Sequence, residues 1–184
     1  MKCADFTYHR PGSVPEALQL LATLGNARVL AGGQSLMPML NLRYVAYEHL
    51  VDINRIPELA GARIERGPEG GVGAGGPEGG SAGRSESDTL AIGALTRQAA
   101  LIDDANVARR CPVLREALLE VGHGPTRARG TLGGSLAHLD PASEQPGVAA
   151  LHDAVLTLES AAGGRREVPW ADYPQGYYTP DIRA

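Results

Sequence analysis

The segment "RGTLGGSLAHLDPASE", residues 129–144, carries residue types that suit three different kinds of chemistry. Its two adjacent glycines lie beside a threonine and a serine, and this combination of flexible backbone and hydroxyl groups can surround a phosphate. The histidine, aspartate and glutamate that follow are residue types that bind metal ions. Glycine pairs are also typical of ordinary turns. Taken alone, the segment leaves a phosphate site, a metal site and a turn open.

A similar string, "AGGQS" at residues 31–35, occurs upstream. In each string two glycines are followed by serine, either directly or one residue later. Because glycine lets the backbone approach a ligand closely and adopt positive φ, amides from both strings could converge on one diphosphate. The alternative is that both pairs mark simple turns. We call residues 31–36 the first glycine segment and residues 131–135 the second glycine segment.

The remaining polar residues give weaker signals. His123, His138 and His152 do not share a helix face at a metal-ligand spacing such as HExxH, so we expect no metal site. His138 is expected to support the second glycine segment by hydrogen bonding or to be exposed. Arg127 and Arg129 either bring positive charge near a diphosphate or are solvated.

Composition narrows the class of protein. A chain of 184 residues with 43% hydrophobic and 21% charged residues suits one domain or two small lobes. The net charge of −4 argues against nucleic-acid binding and implies that an anionic ligand is held mainly by backbone N–H groups. No apolar run suits a signal peptide or a membrane helix, so we expect a cytoplasmic protein. Cys3 and Cys111 form no CxxC pair, and neither a zinc site nor an iron-sulfur cluster is expected from them.

The pattern of the N-terminal residues predicts a helix followed by two strands. Ser13 and Glu16 fit a capping box, in which Glu16 reaches back to the serine N–H. Apolar residues then recur at helical spacing until Gly25. The strings "ARVL" before the first glycine segment and "HLVDI" at residues 49–53 predict strands.

The second half of the chain alternates strand and helix patterns. We expect a strand at residues 89–95, a helix capped by Thr96, and a helix from Pro112 to Gly122. Residues 153–169 fit a hairpin with its turn near two glycines. This mixture of hairpins and helices predicts an α+β fold.

Residues 67–87 are rich in glycine and repeat "GPEGG", which predicts a flexible loop. The loop contains a GxGxxG string at Gly71, Gly73 and Gly76. A dinucleotide fingerprint needs a strand before it and a helix after it, and the following "PEGG" is unsuited to start that helix. We therefore do not interpret it as a Rossmann motif.

The two glycine segments, together with "LAIGALT" between them and "HDAVLTL" after them, resemble the flavoprotein (medium) subunit of the molybdenum hydroxylases. This family includes aerobic carbon monoxide dehydrogenases and xanthine dehydrogenases. The resemblance implies an α+β, two-lobed FAD-binding domain of the vanillyl-alcohol oxidase type. It implies a first lobe at residues 1–56, a second lobe at residues 57–178 with a flexible insert at 67–87, and a tail at 179–184.

The resemblance also implies which residues contact FAD. The two glycine segments would wrap the diphosphate, Val121 would line the cofactor, and Glu144 would approach its ribose or adenine end, with Asp140 as a weaker candidate. The full set of implied contacts is Ala31, Gly32, Gly33, Gln34, Ser35, Leu36, Val121, Thr131, Gly133, Gly134, Ser135, Asp140 and Glu144. Some members of the family have asparagine at the position of Ser135, so that contact is expected to differ here.

The activity implied is electron transfer. A large partner subunit would carry the molybdenum cofactor, a small one the iron-sulfur clusters, and electrons would pass through FAD to an external acceptor. This chain would then supply no catalytic acid, base or nucleophile and no metal ligands. Family members normally continue beyond the segment matching "DYPQGYYT" into a further domain that helps to enclose the flavin, so a truncated form lacking that C-terminal domain is expected.

Three alternatives to this function stay open. One is a degenerate remnant that keeps the fold but binds no flavin. Another is a stand-alone flavin reductase with the same type of loop. The third is an unrelated α+β enzyme.

Overall fold

The computed structural model describes residues 2–66 and 88–182. The glycine-rich insert predicted at residues 67–87, with its GxGxxG string, lies outside the described residues. Within the described part, helices and strands alternate along the chain, and both parallel and antiparallel strand pairs are present. The predicted α+β class is confirmed.

Three parallel strands form the N-terminal sheet, in the order β1-β3-β2. They are β1 (Thr7–His9), β2 (Ala27–Leu30) and β3 (His49–Asp52). Parallel neighbours need a crossover. Helix α1 (Val14–Thr23) connects β1 to β2, and helix α2 (Leu36–Asn41) lies between β2 and β3. The predictions of α1, β2 and β3 are confirmed, whereas the sequence pattern does not predict β1 or α2, which are too short to show a period.

Helix α1 begins with part of the predicted capping box. The Ser13 hydroxyl accepts a hydrogen bond from the Glu16 N–H at 3.4 Å. The Glu16 carboxylate, however, accepts from the Gly12 N–H at 2.8 Å and not from the serine N–H. At the other end of the helix, Asn26 and not Gly25 adopts the left-handed backbone, with φ of 50°. The inner face buries Ala17 against the sheet.

The chain continues with an antiparallel strand pair and a group of helices. The strands are β4 (Ala62–Glu65) and β5 (Thr89–Ile92). The helices are α3 (Gln98–Asp103), α4 (Ala105–Arg110), α5 (Pro112–Glu120), α6 (Gly124–Arg129), α7 (Leu132–His138) and α8 (Glu144–Leu151). Their shared core contains Leu101, Val107, Cys111, Leu114 and Leu118. The predicted helix opened by Pro112 is confirmed, and Gly122 follows its end with φ of 40°.

Thr96 does not cap α3 as predicted. Arg97 occupies the cap position, and no side-chain hydrogen bond is made there. The Thr96 side chain is buried, and its hydroxyl accepts from the Gly61 N–H at 2.9 Å and approaches the Gly93 carbonyl oxygen at 2.7 Å. A buried hydroxyl needs such partners. Thr96 therefore joins the loops at the ends of the β4–β5 pair.

Two hairpins complete the described chain. Strands β6 (Val155–Ser160) and β7 (Gly164–Pro169) are antiparallel, as predicted, and Gly164 has φ of 64° at their turn. Strands β8 (Pro174–Gly176) and β9 (Thr179–Pro180) form a short second hairpin. Tyr173 precedes it, and its hydroxyl donates to the Leu136 carbonyl of α7 at 3.1 Å. Burial raises the pKa of Tyr173 to about 12, so the phenol stays a donor at neutral pH.

Helices of the described residues are short, and none combines the length and the apolar content that crossing a membrane requires.

Candidate cofactor site

The first glycine segment directly follows β2 and leads into α2. Gly33 has left-handed backbone with φ of 71°, which turns the chain away from the strand. Gln34 donates from its side-chain amide to the Gly32 carbonyl at 3.2 Å, and Ser35 occupies the position before α2 without capping it. Gln34 and Ser35 are exposed, whereas Gly32 is buried. The segment is thus an exposed loop whose only buried residue is Gly32.

The backbone amides of this loop have no partners among residues 2–66 and 88–182. Within the described residues, no hydrogen bond is donated by the N–H groups of Gly32, Gly33, Gln34, Ser35 or Leu36. Amides left free at a turn and at the first turn of a helix are suited to bind an anion. The loop therefore offers a set of donors to an anionic group.

The second glycine segment differs in structure from this loop. The interpretation of its glycine pair as a turn is wrong, because Gly133 and Gly134 lie inside α7. Thr131 caps that helix, and its buried hydroxyl accepts from the Gly134 N–H at 3.1 Å. The short helix α6, which the sequence pattern does not predict, precedes it. The two glycines are needed for packing: a Cβ on Gly133 would lie 2.7 Å from the Ala94 Cα, and one on Gly134 would lie 2.7 Å from the Thr131 Oγ1.

The amides of the second glycine segment already have partners. The Leu132 N–H donates to the Thr96 carbonyl at 3.1 Å, and the Gly133 N–H donates to the Ala94 carbonyl at 2.9 Å. The Ser135 N–H donates to the Thr131 carbonyl at 3.1 Å. These amides are therefore not free donors for a ligand, and any contribution of this segment comes from its side chains, its shape or the Thr131 N–H.

The first glycine segment packs at Gly32 against Arg129 and Gly130, the residues just before the second glycine segment. A Cβ on Gly32 would lie only 2.9 Å from the Arg129 carbonyl carbon and from the Gly130 Cα. Ala31 is adjacent to α7, since its Cβ lies 3.9 Å from where a Cβ on Gly134 would stand. The structure thus brings together two segments that are far apart in sequence, as the prediction of one shared site requires.

A polar network connects the first glycine segment to Arg129, just before the second glycine segment. Asn54, just after β3, donates to the Ala31 carbonyl at 2.8 Å. Its side-chain oxygen accepts from the Arg97 guanidinium at 2.5 Å, and the same guanidinium donates to the Arg129 carbonyl. Neither Asn54 nor Arg97 is among the residues predicted from the sequence. A signal was present for Asn54, which lies two residues beyond parallel strand β3, because ligands bind outside the carboxyl ends of parallel strands.

Asp52 anchors this network to the sheet. Its carboxylate accepts from the Asn54 backbone N–H at 2.9 Å and side-chain amide at 2.6 Å, and also from the Tyr8 hydroxyl. Burial raises the pKa of Asp52, but these hydrogen bonds outweigh burial and hold the pKa below its usual value. Burial lowers the pKa of the Arg97 guanidinium, and the nearby Arg129 lowers it further, while Asp52 opposes both effects. An arginine nevertheless remains a cation in proteins.

Ser135 is engaged by its neighbours. Its hydroxyl lies 2.9 Å from the Ser143 hydroxyl and 2.9 Å from the side-chain oxygen of Gln145. Gln145 is buried, with 1% exposure, and its Nε2 has no hydrogen-bond partner in the described residues. The predicted ligand contact of Ser135 therefore competes with a contact between α7 and α8.

Three predicted contact residues, Asp140, Glu144 and Val121, lie outside the two glycine segments. Asp140 follows α7, accepts from the Ala142 N–H at 2.9 Å and hydrogen-bonds the Tyr178 hydroxyl, which raises the pKa of Tyr178. Glu144 is the first residue of α8 and half-buried. Val121 is the residue just after α5, and helix α6 separates it from the second glycine segment.

The other polar candidates have mainly structural contacts. Arg127 donates to the Val121 carbonyl at 2.7 Å and to the Gly122 carbonyl at 3.2 Å, at the end of α5. His138 contacts the Tyr178 ring, with 5.2 Å between ring centroids. Among the described residues no cluster of three or more metal-binding side chains occurs.

A cavity of about 290 Å³ lies beside the network. Asn54, Arg97, Thr96 and Asp104 contribute to its wall together with apolar residues. Neither glycine segment lines this cavity, so the free amides are not part of its wall.

Residues 4–76 and 81–184 match the family described as FAD binding domain in molybdopterin dehydrogenase. The chain belongs to this family. The match covers both glycine segments and most of the chain, which confirms the resemblance found in the sequence.

Relatives in the family are subunits of dehydrogenases. The chain is 40% identical to the carbon monoxide dehydrogenase medium chain of Hydrogenophaga pseudoflava over 174 residues, 94% of this chain and 53% of that protein. It is 41% identical to the 6-hydroxypseudooxynicotine dehydrogenase complex subunit alpha of Paenarthrobacter nicotinovorans over 167 residues, 90% of this chain and 49% of that protein. The chain thus spans about half the length of the curated relatives it matches.

Solved structures give the same picture for the fold. The carbon monoxide dehydrogenase from Hydrogenophaga pseudoflava that lacks the Mo-pyranopterin moiety matches with a TM-score of 0.83 and 40% identity over 100% of this chain and 56% of that chain. Quinoline 2-oxidoreductase from Pseudomonas putida 86 matches with a TM-score of 0.83 and 34% identity over 100% and 57%. The predicted fold family is therefore confirmed.

Proposed function

We propose that this chain binds FAD through its diphosphate, in the groove where the first glycine segment lies against residues 129–131. The observation that carries the proposal is the run of free amides from Gly32 to Leu36, placed in a chain that belongs to a family of FAD binding domains. An FAD diphosphate is an anion, and amides converging from a loop are suited to hold it without any lysine.

The charges around the groove fit this ligand. The chain as a whole has a net charge of −4, which does not attract an anion. Locally, however, the Arg97 guanidinium donates to the Arg129 carbonyl next to Gly32. The positive charges of Arg97 and Arg129 repel each other. A bound dianion would reduce that repulsion. The free amides and the two arginines thus support diphosphate binding in an otherwise acidic protein.

Within this proposal the two glycine segments have different tasks. The amides of Gly32 to Leu36 bind the diphosphate, whereas Thr131, Gly133, Gly134 and Ser135 form the opposite wall, with the Thr131 hydroxyl as cap of α7. We propose Glu144 as the contact toward the ribose or adenine end, with Asp140 and Val121 as further cofactor contacts. We also propose that residues 1–56, which contain the parallel sheet, and residues 57–178 are the two lobes. The hydrogen bond between Asn54 and Arg97 then connects the two lobes.

We propose that the intact protein transfers electrons in a molybdenum hydroxylase complex. FAD accepts electrons and passes them to an external acceptor, while a large subunit holds the molybdenum cofactor and a small subunit the iron-sulfur clusters. The names of the relatives, which are medium chains and subunits of dehydrogenase complexes, support this role. In this proposal the chain's own residues bind and orient the flavin nucleotide and supply no proton donor or acceptor to the substrate.

Purified protein tests the cofactor directly. We expect a yellow protein with the absorbance band of oxidised flavin, which releases FAD on denaturation, and ADP should compete with FAD while riboflavin should not. Competition by ADP follows because it carries the diphosphate that the amides bind. Colourless protein that stays unoccupied in excess FAD would sink the proposal and favour a remnant that keeps the fold but binds no flavin. Oxidation of a reduced nicotinamide by the chain alone would favour a stand-alone flavin reductase.

A further inference from the structure

Asn54 and Arg97 form a side-chain connection between the first glycine segment and Arg129, just before the second glycine segment. We propose that these two side chains are positioning residues, which hold the first glycine segment at the correct distance from residues 129–131 for a diphosphate to fit between the free amides and the opposite wall. The inference rests on the proposed function. It assigns to two residues outside both glycine segments an indirect effect on FAD affinity, through the position of the first glycine segment.

The path of hydrogen bonds is continuous across the groove. It begins at the Ala31 carbonyl, which accepts from Asn54 at 2.8 Å, and continues through the Asn54 side-chain oxygen to Arg97 at 2.5 Å. Arg97 then donates to the Arg129 carbonyl, the same backbone that packs on Gly32. Asn54 therefore binds the first glycine segment, Arg97 binds the backbone just before the second one, and the two side chains bind each other.

Backbone contacts fix the Arg97 end of this path. Arg97 and Thr131 form an isolated antiparallel bridge. On either side of it the Gln98 N–H donates to the Gly130 carbonyl at 2.9 Å, and the Leu132 N–H donates to the Thr96 carbonyl at 3.1 Å. Residues 129–132 are thus held twice, by these backbone hydrogen bonds and by the guanidinium.

The first glycine segment is held in fewer ways. The amides of Gly32 to Leu36 have no partners in the part of the chain that the structure describes, and Asn54 supplies a side-chain bond to the Ala31 carbonyl. Asn54 is itself oriented by Asp52, which accepts from both its backbone and side-chain N–H groups. Loss of the Asn54 side chain should therefore loosen the loop that carries the free amides more than it disturbs the fold.

The planar guanidinium suits this role better than an ammonium would. Arg97 reaches two acceptors, Asn54 Oδ1 and the Arg129 carbonyl, with two different nitrogens. Arginine offers such paired donors in a fixed geometry, whereas lysine is a compact point charge. Charge alone should therefore not replace Arg97.

The test is FAD titration of Asn54→Ala and Arg97→Met, followed by flavin fluorescence, together with the melting temperature of the FAD-free protein. We expect each variant to bind FAD about 10- to 100-fold more weakly, the range for losing hydrogen bonds that involve a charged group. The double variant should lose little more than either single one, because both side chains belong to one connection. Arg97→Lys should resemble Arg97→Met more than the wild type.

Asn106 provides a matched control. Its side-chain N–H donates to the Ala62 carbonyl at 3.4 Å and its oxygen accepts from Arg109 at 3.1 Å, so it makes the same pair of bonds without contacting either glycine segment or residues 129–130. Asn106→Ala should lower the melting temperature without weakening FAD binding. If Asn54→Ala and Arg97→Met bound FAD as tightly as Asn106→Ala, or if Arg97→Lys bound it like the wild type, the inference would be wrong.

The conservative variant Asn54→Asp provides a test if Asn54→Ala or Arg97→Met does not fold. It keeps an acceptor for Arg97 but loses the donor to Ala31, and we expect weakened FAD binding in folded protein. Wild-type affinity in this variant would contradict the role given to Asn54. A wild-type chain that binds no FAD would instead overturn the proposed function itself, which separates the two failures.

Discussion

The two glycine segments have similar sequences, but they differ in how many of their backbone N–H groups are free to bind a ligand. In the first, the N–H groups from Gly32 to Leu36 have no partner in the described residues. In the second, the amides of Leu132, Gly133 and Gly134 are bonded to Thr96, Ala94 and the Thr131 hydroxyl. Gly133 lets helix α7 pack on Ala94 after β5, and Gly134 leaves room for the Thr131 hydroxyl that caps the helix. A glycine pair next to a hydroxyl therefore does not by itself indicate a phosphate site.

Hydrogen exchange should show the largest difference between the segments. We expect FAD to slow exchange of the Gly32–Leu36 amides by about 100-fold or more, because a bound phosphate supplies the missing partner. Exchange of the Leu132 and Gly133 amides should be slow with or without FAD. The measurement is exchange monitored by mass spectrometry or NMR in both states. Equal protection changes in both segments would contradict the division of tasks.

Packing substitutions should separate glycines that are needed sterically from those that are not. Gly133→Ala places a Cβ 2.7 Å from the Ala94 backbone and should lower the free energy of unfolding by about 1–3 kcal/mol. Gly147→Ala, inside α8 with open space around it, is the matched control and should raise that free energy by about 0.5–1 kcal/mol. Denaturant unfolding of both variants is the measurement. Two similar results would refute the packing role of Gly133.

A conformational substitution probes the first glycine segment. Gly33→Ala should lower the free energy of unfolding by about 1–2 kcal/mol, because φ of 71° is unfavourable for a residue with a Cβ. The atoms that a Cβ would meet belong to the flexible side chains of Met37 and Leu30, at 3.1 Å and 3.3 Å, and can move. Gly33→Asn should cost less than Gly33→Ala, since asparagine tolerates this backbone better. Thermal melting checks the order, and a reversed order would contradict it.

The smallest effect is expected at the cap of α7. Thr131→Val removes the oxygen that accepts from the Gly134 N–H and should lower the free energy of unfolding by about 1 kcal/mol. Thr131→Ser keeps the acceptor and serves as the control. Equilibrium unfolding should place serine close to the wild type and valine below it. A valine variant as stable as the serine variant would mean that the cap contributes nothing.

Much of the fold could be predicted because its signals are local. The serine cap, the apolar spacing of α1, the apolar strings at β2 and β3, Pro112 at the start of α5 and the glycines of the β6–β7 turn all act within a few residues. The family could be predicted from the two glycine segments in their order, and the match over most of the chain confirms it.

Helices α6 and α7 could not be predicted in the same way. Helix α7 contains two glycines, which disfavour a helix by propensity. It forms because Thr131 caps it and because Ala94 and Thr96 accept from its first amides across more than thirty residues of chain. The preference of the local sequence is overridden by contacts that only the folded chain supplies.

The sequence alone determined the family and the α+β class, and it predicted two segments of one site, because glycine, hydroxyl and apolar patterns are written in neighbouring residues. Only the tertiary structure decided which segment has free amides, since that depends on whether distant carbonyls and hydroxyls reach them. It also brought Asn54 and Arg97, 43 residues apart, into one connection under the groove. Hydrogen-bond partners distant in sequence carry no local signature, and this is the physical reason for the division.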